Sequence, residues 1–145
     1  MRGIWGIHPG WGITAVRVAM AIILILAGWA KMNAGMTTVA GNFEKMAVPM
    51  ANISGPFIAV LELAGGILLL LGAAGRWLGL LYSIEFAVAF FYVKLPAGFP
   101  GARLDLMLLA GGILIFLAGP GKAAVDAVWL ENEGGMRNRM MERAA

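Results

Sequence analysis

The sequence contains no cysteine and a single histidine, His8. The absence of cysteine excludes intrachain disulfides, a catalytic thiol, thiolate-bound zinc and cysteine-ligated iron–sulfur clusters. One histidine cannot supply two axial imidazoles to a haem. We therefore predict no metal site and no intrinsic cofactor, and an electron carrier would have to belong to another protein.

Charged residues are also scarce, at 13% of the chain, roughly half the usual 25%, whereas hydrophobic residues make up 61%. A chain with so few charged residues cannot form the charged surface of a water-soluble protein. The composition therefore indicates a membrane protein, whose partner is the lipid bilayer. The formal net charge is +3, but the basic residues flank apolar runs and form no basic stripe. This placement argues against a nucleic-acid partner.

Four apolar stretches approach the length of about 20 residues that a helix needs to cross the hydrocarbon layer. They cover residues 13–32, 57–74, 77–93 and 104–118. Each is predicted to be a helix, because a backbone in lipid must pair its polar groups within its own segment. The predicted fold class is all-α, an integral membrane bundle of four transmembrane helices that forms a single domain over residues 1–145.

The remaining segments are too short for a soluble catalytic domain, which usually has about 50 residues or more. Residues 33–56 could hold a short helix at the membrane interface, and residues 121–145 form a polar tail that we expect to be mobile or a surface helix. Gly119-Pro120-Gly121 ends the fourth helix. Any chemistry must therefore use the membrane bundle or another protein.

The positions of lysine and arginine predict the orientation, because cytoplasmic loops carry the excess of basic residues. Seven lie on the side that four spans give to both termini, and four lie on the opposite side. The first set is Arg2, Arg17, Arg76, Lys122, Arg137, Arg139 and Arg143; the second is Lys31, Lys45, Lys94 and Arg103. We expect both termini in the cytoplasm. A less favoured interpretation takes residues 18–30 as part of a signal peptide, which would leave three spans and reverse the orientation.

Several ionisable residues lie within the predicted spans, although each costs about 2.5 to 3.5 kcal/mol at the centre of a helix. Their depths suggest two groups. An extended Lys31 side chain could reach toward Glu62, with Asp105 near the same level. Arg17 and Glu85 differ in depth by about 6 Å and could meet across the other half of the bundle.

These five residues form the candidate polar membrane site, and two interpretations of it stay open. The charges could simply hold the helices together. Alternatively, a carboxylate such as Glu62 could lie on the route of a quinone, a proton or a small solute, since intramembrane charge indicates function by default. Gly65, Gly66 and Gly72 in the second span are predicted to let neighbouring helices approach closely.

Taken in order, the residues resemble the DoxX family of small four-helix membrane proteins, and the resemblance covers most of the chain. Its parts are Arg17 with Ala27-Gly28-Trp29-Ala30-Lys31, Phe43 with Val48-Pro49, residues 62–72 followed by Arg76, and Asp105 with Gly119-Pro120-Gly121 and Asp126. Glu85 does not correspond to a position of the family pattern.

The resemblance implies a role in oxidoreductase assemblies, since some members are linked to the oxidation of sulfur compounds with quinone as acceptor and others to complexes with soluble redox partners. We therefore expect an inner-membrane subunit that anchors a redox partner and offers a quinone or proton site near Lys31, Glu62 and Asp105. A small transporter or ion-coupled permease and a structural or assembly factor are the alternatives, and a homo-oligomer is the alternative to the redox partner. The sequence identifies no catalytic residue and leaves open whether the chain is itself an enzyme.

Overall fold

The computed structural model describes residues 8–126, and within them the chain is mostly helical and contains no strand. Five helices follow one another: α1 Gly10–Ala34, α2 Met36–Lys45, α3 Ala51–Leu71, α4 Gly75–Ala97 and α5 Phe99–Ala118. The four long ones, α1, α3, α4 and α5, are long and apolar enough to cross a membrane. The predicted all-α fold with four spans is confirmed.

The four spans run alternately up and down, so each end of the bundle holds a definite set of helix ends and loops. The terminal end holds the start of α1, the α3–α4 hairpin and the end of α5; the loop end holds α2 and the α4–α5 turn. The buried core between them is built from apolar side chains of all four spans: Met20, Ala21, Leu24, Leu69, Leu78, Tyr82, Phe86, Leu108 and Ile115.

Glycines let the helices pack closely, as lipid-embedded bundles require. A Cβ at Gly28 of α1 would lie 2.5 Å from the backbone nitrogen of Leu63 in α3, and one at Gly79 of α4 would lie 2.7 Å from that of Phe116 in α5. Gly65 faces Tyr82, whereas Gly66 faces Ile25. The predicted close-packing role of these two glycines is confirmed.

Two of the spans contain a wider, π-helical turn. In α3 it covers Leu61–Gly65, and in α4 it covers Ala89–Lys94 and is followed by a single 3₁₀ turn, Leu95–Ala97. A π turn inserts one residue into the helix and rotates the side chains that follow, and such turns are frequent at functional sites. Each of these turns carries a charged residue of the site described below.

The structure corrects four predicted boundaries. The second span begins at Ala51, six residues before the predicted start, and ends at Leu71, because Gly72 adopts a left-handed conformation with φ of 75°. The third continues to Ala97, and the fourth begins at Phe99 with Pro100 in its first turn. The short helix predicted within residues 33–56 is present as α2.

The chain after α5 is not a free tail at its start. Residues 119–126 cross the terminal end of the bundle, and the side chain of Arg17 holds them there by donating to the carbonyl oxygens of Pro120 and Ala123, both at 2.6 Å. Asp126 accepts hydrogen bonds from the backbone nitrogens of Ala74 (3.1 Å) and Gly75 (2.9 Å). Residues 121–126 are thus tied to the bundle, and a helix begins at Val125 with an exposed side chain, while the rest of the predicted mobile or surface-helical tail, residues 127–145, lies outside the described part.

Candidate functional site

A cavity of about 510 Å³ lies between the spans, toward the loop end of the bundle. Most of its wall is apolar and comes from α3, α4 and the segment that joins α2 to α3. Five charged residues also line it: Lys31, Glu62, Glu85, Lys94 and Asp105. Four of them belong to the candidate site predicted from the sequence, so the structure brings these four together.

The first charged pair is Lys31 with Glu62. Lys31 lies one turn before the end of α1, and its Nζ donates a hydrogen bond to Oε2 of Glu62. Glu62 lies within the π turn of α3 and is buried. The predicted contact between these two residues is confirmed.

Next to Glu62 the π turn leaves a backbone carbonyl available to α4. The hydroxyl of Tyr82 donates to the carbonyl oxygen of Leu61 at 2.8 Å, and the Tyr82 side chain is fully buried. This bond fixes α3 against α4 one helical turn from Glu85. The position of Glu62 is thus determined from two sides, by Lys31 and by the backbone of its own π turn.

The second charged pair joins α4 to α5. Lys94 donates from Nζ to both carboxylate oxygens of Asp105, at 3.0 and 2.8 Å. Asp105 is buried, whereas 42% of the Lys94 side chain is exposed. Sequence reasoning placed Asp105 near Lys31 and did not assign Lys94 to the site. The signal was present, however, because Lys94 directly follows the predicted third span, eleven residues before Asp105.

Glu85 differs from the other two acids because no cation in the described chain neutralises it. It lies near the middle of α4, and its Oε2 atom is buried without a hydrogen-bond partner among the described residues. With Glu62, Glu85 and Asp105 opposed by Lys31 and Lys94, the cavity wall holds three acids and two bases. A carboxyl oxygen near this cavity therefore has unused hydrogen-bonding capacity.

Arg17 does not belong to this cavity. Besides Pro120 and Ala123, it donates to the carbonyl oxygen of Leu70 at 3.4 Å, all at the terminal end of the bundle. The predicted pairing of Arg17 with Glu85 is wrong, because residues 119–126 supply backbone acceptors that are nearer than the carboxylate. Arg17 holds that segment in place, and its place in the candidate site is not supported by the geometry.

Comparison with known proteins agrees with this architecture. The sequence pattern that defines the DoxX family matches residues 12–95, which include three spans and four of the five charged cavity residues, with Asp105 beyond the matched region. The chain belongs to the DoxX family.

The DoxX chain also resembles several curated bacterial proteins over most of its length. It is 35% identical to "Putative oxidoreductase CatD" of Bacillus subtilis over 118 residues, which are 79% of this chain and 84% of that protein. It is 27% identical to "Uncharacterized membrane protein Rv3486" of Mycobacterium tuberculosis (79% and 78% covered) and 29% identical to "Inner membrane protein YqjF" of Escherichia coli (79% and 89% covered). No solved structure matches the chain significantly. The family, the four spans and these relatives establish a multi-pass membrane protein.

Proposed function

We propose that this DoxX chain is the membrane subunit of an oxidoreductase assembly and that its cavity binds the head group of a quinone. The observation that carries the proposal is the composition of the cavity wall. An apolar pocket inside a membrane bundle contains two ion pairs and a buried carboxyl oxygen, Glu85 Oε2, that has no partner among residues 8–126. A ligand with a lipophilic body and a hydrogen-bonding head matches both parts of that wall.

The dimensions and donors of the cavity fit such a head group. Sites for small organic ligands usually have about 300 to 1,000 Å³ and a few placed polar groups in an apolar wall, and this cavity has about 510 Å³. The ammonium group of Lys31 carries three donors, of which Glu62 uses one. The others can donate to a quinone carbonyl oxygen, while Glu85 can accept from a quinol hydroxyl or, when protonated, donate to a carbonyl.

Reduction of a quinone to a quinol consumes two electrons and two protons, and each oxygen gains one proton. The described residues hold no electron carrier, so in this proposal the electrons come from a redox protein bound to the bundle. Glu62 and Glu85 would supply or receive the protons, since a positioned carboxyl group is a general acid or base. Lys31 would orient the carbonyl oxygen and keep Glu62 in place.

The names of the relatives support a redox role only at the level of the class. The Bacillus subtilis relative is called an oxidoreductase. The alternative of a small transporter has less support from the geometry, because a polar route was expected to include Arg17 with Glu62 and Glu85. Arg17 instead holds residues 119–126 across the terminal end of the bundle.

A first experiment asks what accompanies the protein. The tagged chain is purified from its native membranes in mild detergent, and co-purifying polypeptides and lipophilic molecules are identified by mass spectrometry. We expect a stoichiometric redox polypeptide and bound quinone. A homo-oligomer that carries neither would contradict the proposal and would favour the transporter or structural alternatives, which flux measurements in liposomes would separate.

A second experiment tests the site with a matched pair of variants. Glu62→Gln keeps the size of the side chain but removes its charge and its capacity to exchange a proton, whereas Glu44→Gln makes the same change on an exposed carboxylate of α2 outside the cavity wall. We expect Glu62→Gln to weaken quinone binding about tenfold, since a hydrogen bond to a charged group contributes about 1.5 to 3 kcal/mol. Equal quinone affinity in the two variants would show that the cavity is not the site.

A further inference from the structure

The cavity borders a gap between α3 and α4. Near the middle of the bundle the two helices are held together by the hydrogen bond from Tyr82 to the carbonyl of Leu61. Toward the loop end their backbones make little contact, and α4 is next tied to the α2–α3 segment by the hydroxyl of Tyr92, which donates to the carbonyl of Ala47 at 3.4 Å. Ten residues of helix, about 15 Å, separate the two tyrosines.

Three apolar side chains show that this gap opens outward. Phe57 of α3 and Ile84 and Val88 of α4 line the cavity, and they are 59%, 57% and 48% exposed. A side chain that lines a cavity and is also exposed on the outside of the bundle marks the mouth of that cavity. Because these positions lie within membrane-spanning helices, the outside at this level is lipid. Nothing in residues 8–126 covers them.

We infer that the ligand enters the cavity directly from the bilayer, through the gap between α3 and α4 bounded by Tyr82 and Tyr92. The mouth is apolar, and the polar groups stand behind it, with Glu85 on the same helix one residue beyond Ile84. A head group that passes the mouth reaches the Glu85 carboxyl oxygen that has no hydrogen-bond partner in the described part of the chain. A long isoprenoid tail does not fit in about 510 Å³ together with the head, so the tail lies in the gap and in the lipid.

The identity of this ligand as a quinone rests on the proposed function, but the lipid-facing mouth does not. The test is therefore made first without any quinone. Because the chain has no cysteine, a single Ile58→Cys substitution places one nitroxide label on the cavity wall. In liposomes of phosphatidylcholine and phosphatidylglycerol, collision of the label with oxygen, which concentrates in lipid, is compared with collision with a water-soluble nickel chelate.

A label behind a lipid-facing mouth meets oxygen and not the chelate. Adding Ile84→Trp fills the mouth with a larger side chain, and we expect the oxygen collision rate to fall about twofold. Ile22→Trp is the matched control, because Ile22 is 49% exposed on α1 and lies outside the cavity wall. Val88→Trp replaces Ile84→Trp if the latter does not fold. Preferential access of the chelate, or equal oxygen access in the mouth and control variants, would overturn the inference.

Quinone is then added as a separate arm. If the inference is right, Ile84→Trp slows association of a long-tailed quinone about tenfold relative to Ile22→Trp, while final binding changes less because the wall behind the mouth is intact. Equal association rates would overturn entry through this gap. Absence of quinone binding in every variant, with the oxygen result retained, would reject the proposed function and leave the lipid-facing mouth supported.

Discussion

At the scale of single residues, Glu85 has a structural cost that the proposed quinone site would explain. Its buried Oε2 has no partner in the described chain, and an unsatisfied buried polar group costs about 1 to 3 kcal/mol. We predict that Glu85→Leu, a change to an apolar side chain of similar size, raises the unfolding free energy in detergent by about 1 to 3 kcal/mol and weakens quinone binding. Thermal unfolding measures the first effect. Glu44→Leu, at an exposed position of α2, should change neither quantity. Loss of stability in Glu85→Leu would mean that the carboxyl group has a stabilising partner.

Lys31 and Glu62 form a pair whose members depend on each other. The Glu62 side chain is 7% exposed, so Lys31→Met leaves a carboxyl group in an apolar wall without its partner. We predict a loss of about 1 to 3 kcal/mol of unfolding free energy for Lys31→Met. Adding Glu62→Leu should recover most of it, because replacing both members of a buried pair by apolar groups is often neutral. Thermal unfolding followed by circular dichroism measures both variants, and a double variant as unstable as the single one would contradict the pair.

The residues also show how far sequence reasoning reaches. Lys31 and Glu62 were paired correctly from their depths alone, because straight helices with a fixed rise per residue determine depth. Depth does not determine which face of a helix a residue occupies or what competes for it. Depth therefore predicts a pair of Arg17 with Glu85, although backbone carbonyls of residues 119–126 are the acceptors of Arg17, and it does not predict the pair of Lys94 with Asp105.

At the scale of helices, the ends were harder to predict than the spans. Composition identified all four spans, because apolar runs of that length have few alternatives in a chain so poor in charge. The apolar run does not predict the start of α3 at Ala51, because Ser54 and Pro56 interrupt it; Pro56 lies inside the helix, where membrane-spanning helices tolerate proline. The π turns at Leu61–Gly65 and Ala89–Lys94 have no simple sequence signature, and they rotate Glu62 and Lys94 relative to a regular helix.

The beginning of α4 depends on a residue far away in the chain. Asp126 accepts from the backbone nitrogens of Ala74 and Gly75, which a helix leaves without internal partners at its first turn. We predict that Asp126→Ala lowers the unfolding free energy by about 1 kcal/mol, the usual value of a capping side chain. Asp126→Asn retains an acceptor oxygen and should lose less. If the two variants lose the same amount in thermal unfolding, the capping bonds are not what the carboxylate contributes.

At the scale of the whole molecule, the bundle sets the positions of its polar features relative to the two faces of the membrane. The start of α1 and residues 119–126 meet at the terminal end, whereas α2 and the cavity lie toward the loop end. Two of the four basic residues assigned to the loop end, Lys31 and Lys94, bind carboxylates of the cavity. The remaining two, Lys45 and Arg103, are exposed.

We predict that the terminal end faces the cytoplasm, because it has seven of the eleven basic residues and two of the four at the loop end are paired with carboxylates. The absence of native cysteine makes the test direct. Lys45→Cys and Lys122→Cys place single thiols on exposed positions at opposite ends, and a membrane-impermeant thiol reagent is applied to intact cells of a strain whose outer membrane admits it. The thiol at position 45 should react and the one at position 122 should react only after lysis. The reverse pattern would put the loop end and its cavity on the cytoplasmic side, where a soluble redox partner in the cytoplasm would approach the bundle from α2.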